Sequence, residues 1–188
     1  MKRILPLLLV PMLFLAGCAH TESCPAAEST TETTAAIAYV GSADPLTSPP
    51  NVGLVTAYGE VAACTYATLG AYEWEYPVDE DTVSSAIACG DHPAANFDKD
   101  YLARIEAGKT EGEISFSFYR TLESFTLTRY SEAQCKSGDY ADILPTVIPH
   151  AGESHTLYLS EEDDLPCLYV IDAVYDLGTA QYAFRVDP

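Results

Sequence analysis

Apolar and polar residues alternate along most of the chain after residue 52, and this period of two restricts the fold more than any other feature. Tyr72, Trp74 and Tyr76 fall on one face of an extended segment, while Glu73 and Glu75 fall on the other. Successive side chains of a β-strand point to opposite faces, so the pattern indicates a half-buried strand. Two further segments repeat the pattern: Ile114, Phe116 and Phe118 alternate with serines, and Phe125, Leu127 and Arg129 alternate with threonines.

Five more segments have strand character. Residues 54–58, 61–67 and 155–159 predict short strands, and residues 180–186 predict a last one. Residues 167–175 are almost continuously apolar, as in a strand buried on both faces. We therefore predict an all-β fold for residues 51–188, an immunoglobulin-like antiparallel β-sandwich of about eight strands.

One segment departs from the period of two. Phe97, Tyr101, Leu102 and Ile105 share a helical face, with Asn96 placed as N-cap and Gly108 just beyond the end. The pattern predicts one short helix packed on the sandwich. In the predicted strand at residues 72–76, Trp74 is interpreted as a core anchor rather than a sugar-binding platform. Aromatic side chains at the centre of a strand usually pack in the interior.

The first 17 residues have the composition of an export signal. Lys2 and Arg3 precede an apolar stretch over residues 4–15, which is too short for a membrane-spanning helix of about 20 residues. The stretch ends in Leu15-Ala16-Gly17-Cys18, which resembles the lipobox of bacterial lipoproteins. We expect cleavage before Cys18 and attachment of acyl chains such as palmitate at this cysteine, which would hold the protein on the extracytoplasmic side of the cell membrane.

Residues 18–50 are rich in Thr, Ser, Ala, Glu and Pro and are interpreted as a flexible tether, with one possible short strand at 35–40. Removing residues 1–17 moves the formal charge from −19 to −21. Such an acidic chain has no basic face for nucleic acid and no electrostatic attraction to anionic lipid. The acidity favours a well-solvated surface, with binding of a divalent cation or cationic ligand as the alternative.

Three stretches resemble a family of uncharacterised lipoproteins from gut Firmicutes. They are residues 71–76 (AYEWEY), 88–93 (ACGDHP) and 178–186 (GTAQYAFRV). A similar module is found at the extracellular end of some receptors of the BlaR1 type, which also carry membrane metallopeptidase domains. The chain lacks the His-Glu-x-x-His motif of those receptors. The resemblance thus implies an outer β-sandwich module without an assigned function.

Motifs of catalysis are missing from the sequence. There is no Gly-x-Ser-x-Gly, Ser-x-x-Lys, His-Glu-x-x-His, Cys-x-x-Cys or glycine-rich phosphate loop. Cys89 and His92 are a conceivable thiol and base, but catalytic pairs normally come from facing elements. We therefore predict no catalytic residues and no cofactor.

Two patterns bring metal-binding residue types together. His150, Glu153 and His155 combine nitrogen and carboxylate ligands, but at a spacing unlike common zinc sites. Asn96, Asp98 and Asp100 begin like a calcium loop, which fails at Tyr101 and Ala107 where Gly and Glu are needed. With the acidic runs 79–81 and 161–164 they are weak candidates, and ordinary solvated turns are the favoured interpretation, so no metal ligand is assigned.

Five cysteines remain after lipidation of Cys18, and an odd number cannot all pair within one chain. Cys64, Cys89, Cys135 and Cys167 lie in the predicted domain, where three pairings are open, and Cys24 in the tether would be the odd thiol. Export permits disulfides, whereas the anaerobic habitat implied by the resemblance would leave all five reduced.

Two functions fit this sequence. The first is a membrane-anchored extracellular lipoprotein that serves as a non-enzymatic binding or sensor module for an unknown ligand. The second is a cell-envelope hydrolase that uses a pair of carboxylates, which would face each other in a deep pocket.

Overall fold

Two β-sheets pack face to face in the structure, a computed structural model that describes residues 47–138, 140, 143–148, 155–160 and 164–188. Within these residues the strands, in chain order, are β1 (Val52–Tyr58), β2 (Val61–Tyr66), β3 (Thr68–Pro77), β4 (Val83–Ala88), β5 (Ala103–Glu106), β6 (Glu113–Phe118), β7 (Leu122–Ser131), β8 (Thr146–Ile148), β9 (Thr156–Tyr158), β10 (Cys167–Tyr175) and β11 (Gly178–Asp187). The predicted all-β class is confirmed.

The two sheets differ in size. The smaller has the order β2-β1-β6-β9, and all its pairs are antiparallel. The larger has the order β4-β3-β11-β10-β7-β8, and β5 is its seventh strand, running parallel to the end of β11. Immunoglobulin domains have sheets of four and three strands in their constant form. The domain therefore resembles an immunoglobulin domain in its two-sheet architecture.

Strand β10 is buried on both faces, as its apolar sequence predicts. Tyr169 and Ile171 point into the core between the sheets, where Trp74 is only 1% exposed and meets Tyr175 edge to face at 5.5 Å. On the opposite face, Leu168 and Val170 lie in a second apolar cluster. The interpretation of Trp74 as a core anchor is confirmed.

The second cluster is covered by short helical turns rather than by the predicted helix. The 3₁₀ turn Pro93–Asn96 and the following residues bring Phe97 and Leu102 over the sheet, and the only α-helix in the described residues, α1, is Glu132–Lys136. A capping box starts α1, in which the Ser131 side chain accepts from the Gln134 N–H and the Gln134 side chain accepts from the Ser131 N–H.

The helix predicted between Asn96 and Gly108 is therefore wrong. Residues 103–106 instead form β5, whose backbone hydrogen bonds go to β11. The N-cap residue is His92 and not Asn96, and it caps the 3₁₀ turn Pro93–Asn96, which precedes β5 in the chain. Pairing with a neighbouring strand has overridden a local helical period, which is a weak preference when so few residues carry it.

The eight predicted strands are all present, with ends shifted by at most four residues, and three more strands were not predicted. Strands β5 and β8 are only four and three residues long. Strand β4 has small residues, Ser, Ser and Ala, between its two large apolar ones. Short segments with little apolar contrast do not produce a detectable period.

The folded domain begins slightly before residue 51. Pro49 and Pro50 are buried, although the sequence places them in the tether. The fully buried Tyr182 hydroxyl donates to the Pro50 carbonyl oxygen at 2.6 Å and lies 3.3 Å from the Tyr175 hydroxyl. Burial first, and then the bond with Tyr175, raises the pKa of Tyr182, which keeps its proton on the hydroxyl.

Candidate functional site

A β-bulge interrupts the pairing of β3 with β11 and shapes the outer face of the larger sheet. Tyr72 stands opposite Ala180 and Leu69 opposite Tyr182, so two residues of β3, Gly70 and Ala71, oppose Gln181 alone. A Cβ on Gly70 would lie 3.3 Å from the Gln181 carbonyl oxygen. Glycine permits this close approach, and bulges of this kind often occur beside binding sites.

Two depressions adjoin the bulge. The first, here called the β3–β4 groove, has a volume of about 480 Å³ and is lined by residues of the outer face that include Glu73, Ile87, Asp172, Val174, Thr179 and Gln181. The second, the bulge cleft, has a volume of about 200 Å³ and is lined by Thr68, Gly70, Asp91, Asn96 and Tyr101 among others. Cys89, Gly90 and Gln181 border both, so the two depressions form one continuous surface.

Paired strands fix the side chains of the β3–β4 groove. Glu73 is paired with Ile87 on one side and with Thr179 on the other, so all three point outward together. Asp172 is paired with Gln181, and its carboxylate accepts from the Gln181 side-chain amide at 2.8 Å. The groove therefore presents two carboxylates and an oriented amide beside an apolar side chain.

No described residue that lines either depression is a Lys or Arg. The sequence explains this, since it contains no Lys or Arg between Arg3 and Lys99 and so none in β1 to β4. The hairpin that follows β3 adds Asp79, Glu80 and Asp81. The Thr82 side chain, and then the Asp81 N–H, hydrogen-bond to the Asp79 carboxylate and lower its pKa, which keeps it charged.

Strand β4 leaves one edge of the larger sheet unpaired within the described residues. Val83 and Ile87 point outward from it and are 65% and 66% exposed. An edge strand offers backbone N–H and C=O groups to another chain, and neighbouring exposed apolar side chains mark interaction surfaces. This edge strand was not predicted, although the alternation in Val83-Ser84-Ser85-Ala86-Ile87 and the lack of basic residues are signals of it in the sequence.

Cys89 and His92 do not share a role in the structure. Cys89 is an exposed thiol at the border of the groove. The His92 ring stacks on Tyr140 at 5.3 Å and meets Tyr130 edge to face at 5.4 Å, and its Nδ1 accepts from the Ala94 N–H at 3.2 Å. The imidazole is used to pack and cap the 3₁₀ turn.

In the run at residues 96–100 that resembles a calcium loop, Asp98 pairs with an arginine. The Arg185 guanidinium donates to the Asp98 carboxylate at 3.1 Å and to the Phe97 carbonyl oxygen at 3.3 Å. Asn96 accepts from the Tyr101 hydroxyl at 2.7 Å. Asp98 is thus paired with a partly buried cation, and the described residues contain no group of three or more metal-ligating side chains.

The other candidate metal ligands are divided between described and undescribed residues. His155 lies edge to face against Phe118 at 5.1 Å and Phe125 at 5.5 Å. His150, Glu153 and residues 161–163 lie outside the described residues.

The cysteines differ from the expected pattern. Cys64 is disulfide-bonded, whereas Cys89, Cys135 and Cys167 are thiols. Burial, and then the neighbouring Cys167, raises the pKa of the Cys135 thiol to about 12, which makes it unreactive at neutral pH. The four described cysteines therefore form no disulfide with one another.

Cys18, Cys24 and the possible strand at 35–40 lie outside the described residues. Among the residues that are described, no helix has the length and apolarity needed to cross a membrane. No family model, curated protein or solved structure matches the chain.

Proposed function

We propose that the protein is a lipid-anchored extracellular lipoprotein, attached to the cell membrane through Cys18, whose β-sandwich binds a ligand and does not transform it. The export signal and the cysteine that ends it support the location. The resemblance to gut Firmicutes lipoproteins and to the outer module of BlaR1-type receptors agrees with a β-sandwich module outside the membrane.

The observation that carries the binding role is the unpaired β4 edge beside an acidic groove. Val83 and Ile87 are exposed there, Glu73 and Asp172 line the groove, and no basic side chain of the described residues neutralises them at the groove. The ligand that suits this surface is an extended peptide segment with positive side chains, added to the sheet as a further strand.

Each part of the surface has a place in such a complex. The backbone of β4 supplies hydrogen bonds to the peptide, and Val83 and Ile87 pack against alternate apolar side chains of the added strand. The Glu73 and Asp172 carboxylates lie on β3 and β10 rather than on β4, so they attract the cationic side chains of the peptide across the groove and not as directly opposed cross-strand pairs. Affinity should therefore be modest and should depend on salt.

A peptide titration tests this surface. The probe is a fluorescent eight-residue peptide of alternating Lys and Val, and its control has Glu in place of each Lys. We expect the Lys peptide to bind at about 0.01 M salt and to lose most of its affinity at about 1 M, where the screening length falls from about 30 Å to about 3 Å.

Two variants make the titration site-specific. Ile87→Lys places a positive charge in the groove and should weaken binding by at least about tenfold, whereas Tyr58→Lys adds the same charge at a residue 61% exposed on the other sheet. Equal binding of both peptides, or equal effects of both variants, would refute the proposed surface.

The location has its own test in membrane fractionation. We expect the wild-type protein to sediment with membranes after a high-salt wash and Cys18→Ala to be released, because acyl chains provide the attachment. Cys89→Ala is the matched control and should stay bound. Retention of Cys18→Ala would show that another feature holds the protein.

The hydrolase remains the second candidate because Glu73 and Asp172 line the same groove. A glycosidase needs two carboxylates about 5–10 Å apart on either side of a bound sugar. Release of reducing ends from cell-wall glycan by the wild-type protein, lost in both Glu73→Gln and Asp172→Asn, would favour this candidate over the binding module.

A further inference from the structure

The bulge cleft lies at the end of β4, beside the edge to which the proposed peptide ligand would pair. Ala88, the last residue of β4, lines the cleft together with Cys89 and Gly90, and Gln181 connects it to the β3–β4 groove. Its volume of about 200 Å³ is below the roughly 300–1,000 Å³ of a pocket for a drug-sized ligand. The cleft is therefore suited to a single side chain of a larger ligand.

An exposed aromatic ring lines one side of the cleft. Tyr101 is 62% exposed, yet its hydroxyl donates to the Asn96 side-chain oxygen at 2.7 Å and its carbonyl oxygen accepts from the Thr68 hydroxyl at 3.1 Å. These two hydrogen bonds fix the tyrosine against the first residue of β3. The face of an aromatic ring attracts a cation that lies within about 6 Å of its centre.

An oriented amide lines the cleft at the bulge. The Gln181 side-chain nitrogen donates to the Asp172 carboxylate at 2.8 Å, which fixes the orientation of the amide. The amide oxygen, Oε1, would lie 3.6 Å from a Cβ built on Gly70. This oxygen therefore lies over the bulge as a hydrogen-bond acceptor, and it suits a ligand group that donates, such as an ammonium.

The remaining lining combines one acidic residue with apolar ones. Asp91 is exposed and lines the cleft, and no Lys or Arg of the described residues does so. Leu69, Leu102 and Ala183 contribute apolar lining. Apolar walls beside a carboxylate and an amide oxygen match an amphipathic side chain, which has an aliphatic stem and a charged end. Lysine suits them better than arginine, because its three rotatable donors do not require a planar pair of acceptors.

We propose that the bulge cleft is a specificity pocket that binds the ammonium end of one lysine side chain of the peptide, with Asp91, Gln181 and Tyr101 as the residues that recognise it. This inference rests on the proposed function, in which the peptide pairs with β4. Residues paired across strands point to the same face, so a lysine beside Ile87 points to the outer face near the cleft. The groove attracts any cation, whereas the cleft selects the length of the side chain.

Two peptides of equal charge test this selection. The first is the fluorescent peptide of alternating Lys and Val, and in the second each Lys is replaced by diaminobutyrate, whose side chain is two methylenes shorter. We expect the wild-type protein to bind the Lys peptide about five- to tenfold more tightly, because the shorter stem leaves the apolar lining of the cleft uncovered. Equal, salt-dependent affinities would overturn the specificity pocket and leave the proposed function intact. Failure of both peptides to bind would refute both.

Two variants assign the selection to the cleft. Asp91→Asn removes the carboxylate and Tyr101→Leu removes the aromatic ring, and each should reduce the preference for the Lys peptide to about twofold or less, since the shorter ammonium does not reach these groups. The control Glu60→Gln removes a carboxylate from the turn between β1 and β2 and should keep the full preference. Full preference in both cleft variants would overturn the proposal.

Measurement of Tm keeps this test independent of folding. Asp91 and Tyr101 are both exposed, so neither variant should lose its fold. If Tyr101→Leu lowers Tm, the result for Asp91→Asn decides, because that change replaces an exposed carboxylate by an amide of the same size.

Discussion

The guanidinium carbon of Arg185 lies 4.2 Å from the ring centroid of Phe97, so a partly buried cation covers the edge of the second apolar cluster. The Arg185 side chain is 13% exposed, and its Nε donates to the Asp187 carboxylate at 2.6 Å. One side chain thus joins the end of β11 to the segment that carries Phe97. Within the acidic run at residues 96–100, Asp98 is the carboxylate that pairs with this arginine.

Arg185→Lys should destabilise the domain by about 1–3 kcal/mol in urea unfolding. Lysine keeps the charge but loses the planar stacking and the forked hydrogen bonds. The control is Arg104→Lys, because Arg104 is paired with Arg185 on the neighbouring strand but is exposed. Equal unfolding midpoints for the two variants would contradict this role of Arg185.

Replacing Trp74 with Ala should lower the free energy of unfolding by about 3–5 kcal/mol, because it leaves a cavity in the main core. Tyr158→Ala removes an aromatic ring that is 63% exposed and should change stability by less than about 0.5 kcal/mol. Calorimetric Tm values of the Trp74→Ala and Tyr158→Ala proteins measure this difference in stability. A Trp74→Ala protein with unchanged Tm would show that the ring is not a core anchor.

Gly178→Ala should destabilise the β10–β11 hairpin strongly, by more than about 2 kcal/mol. Gly178 has a φ of 144°, and an added Cβ would overlap the carbonyl oxygen of Glu73 on β3. Gly108→Ala is the control because nothing lies within 4 Å of its built Cβ. Similar expression and Tm for the two variants would contradict the described pairing of β11 with β3.

Stability should fall in acid partly through Asp176. Hydrogen bonds from Arg120, both 2.6 Å long, lower the pKa of Asp176 below 3.8 in the folded state. A lowered folded pKa gives stability that is complete above the unfolded value and is lost as pH falls through the folded one. The exposure of Asp176, 55%, limits the contribution to about 0.5–1 kcal/mol.

Asp176→Asn should therefore be less stable than wild type at pH 7 and equally stable once the pH falls below the folded pKa. The control is Glu123→Gln, which removes a carboxylate at an exposed residue of β7. Urea midpoints between pH 2 and pH 7 measure this difference. A constant gap for Asp176→Asn over that range would show that charge on Asp176 is not its cause.

The sequence predicted the parts of the fold that local patterns determine. Alternation in β3, β6 and β7 and the apolar run of β10 were sufficient to predict these strands. A strand that is buried on one or both faces has a corresponding pattern of apolar residues in its sequence. Strand β5 has no such pattern in its sequence, since its formation depends on pairing with β11. A helical period of four residues was too weak to compete with that pairing.

The candidate site was less predictable than the fold. The groove depends on a bulge opposite Gln181 and on β4 being an edge strand, both of which are set by pairing between distant segments. The acidic runs indicated other residues than those that line the groove. Asp98, in one of these runs, forms an ion pair with Arg185. The stretch without Lys or Arg before Lys99 is the one sequence signal that could have indicated an acidic surface there.

The mass of the N-terminal Glu-specific peptide of the membrane-extracted protein tests the central claim most directly. We predict that this peptide spans residues 18–22, begins at Cys18 and carries a diacylglyceryl thioether on the sulfur. A peptide that contains residues 1–17, or an alkylated thiol at Cys18, would contradict the lipid-anchored function.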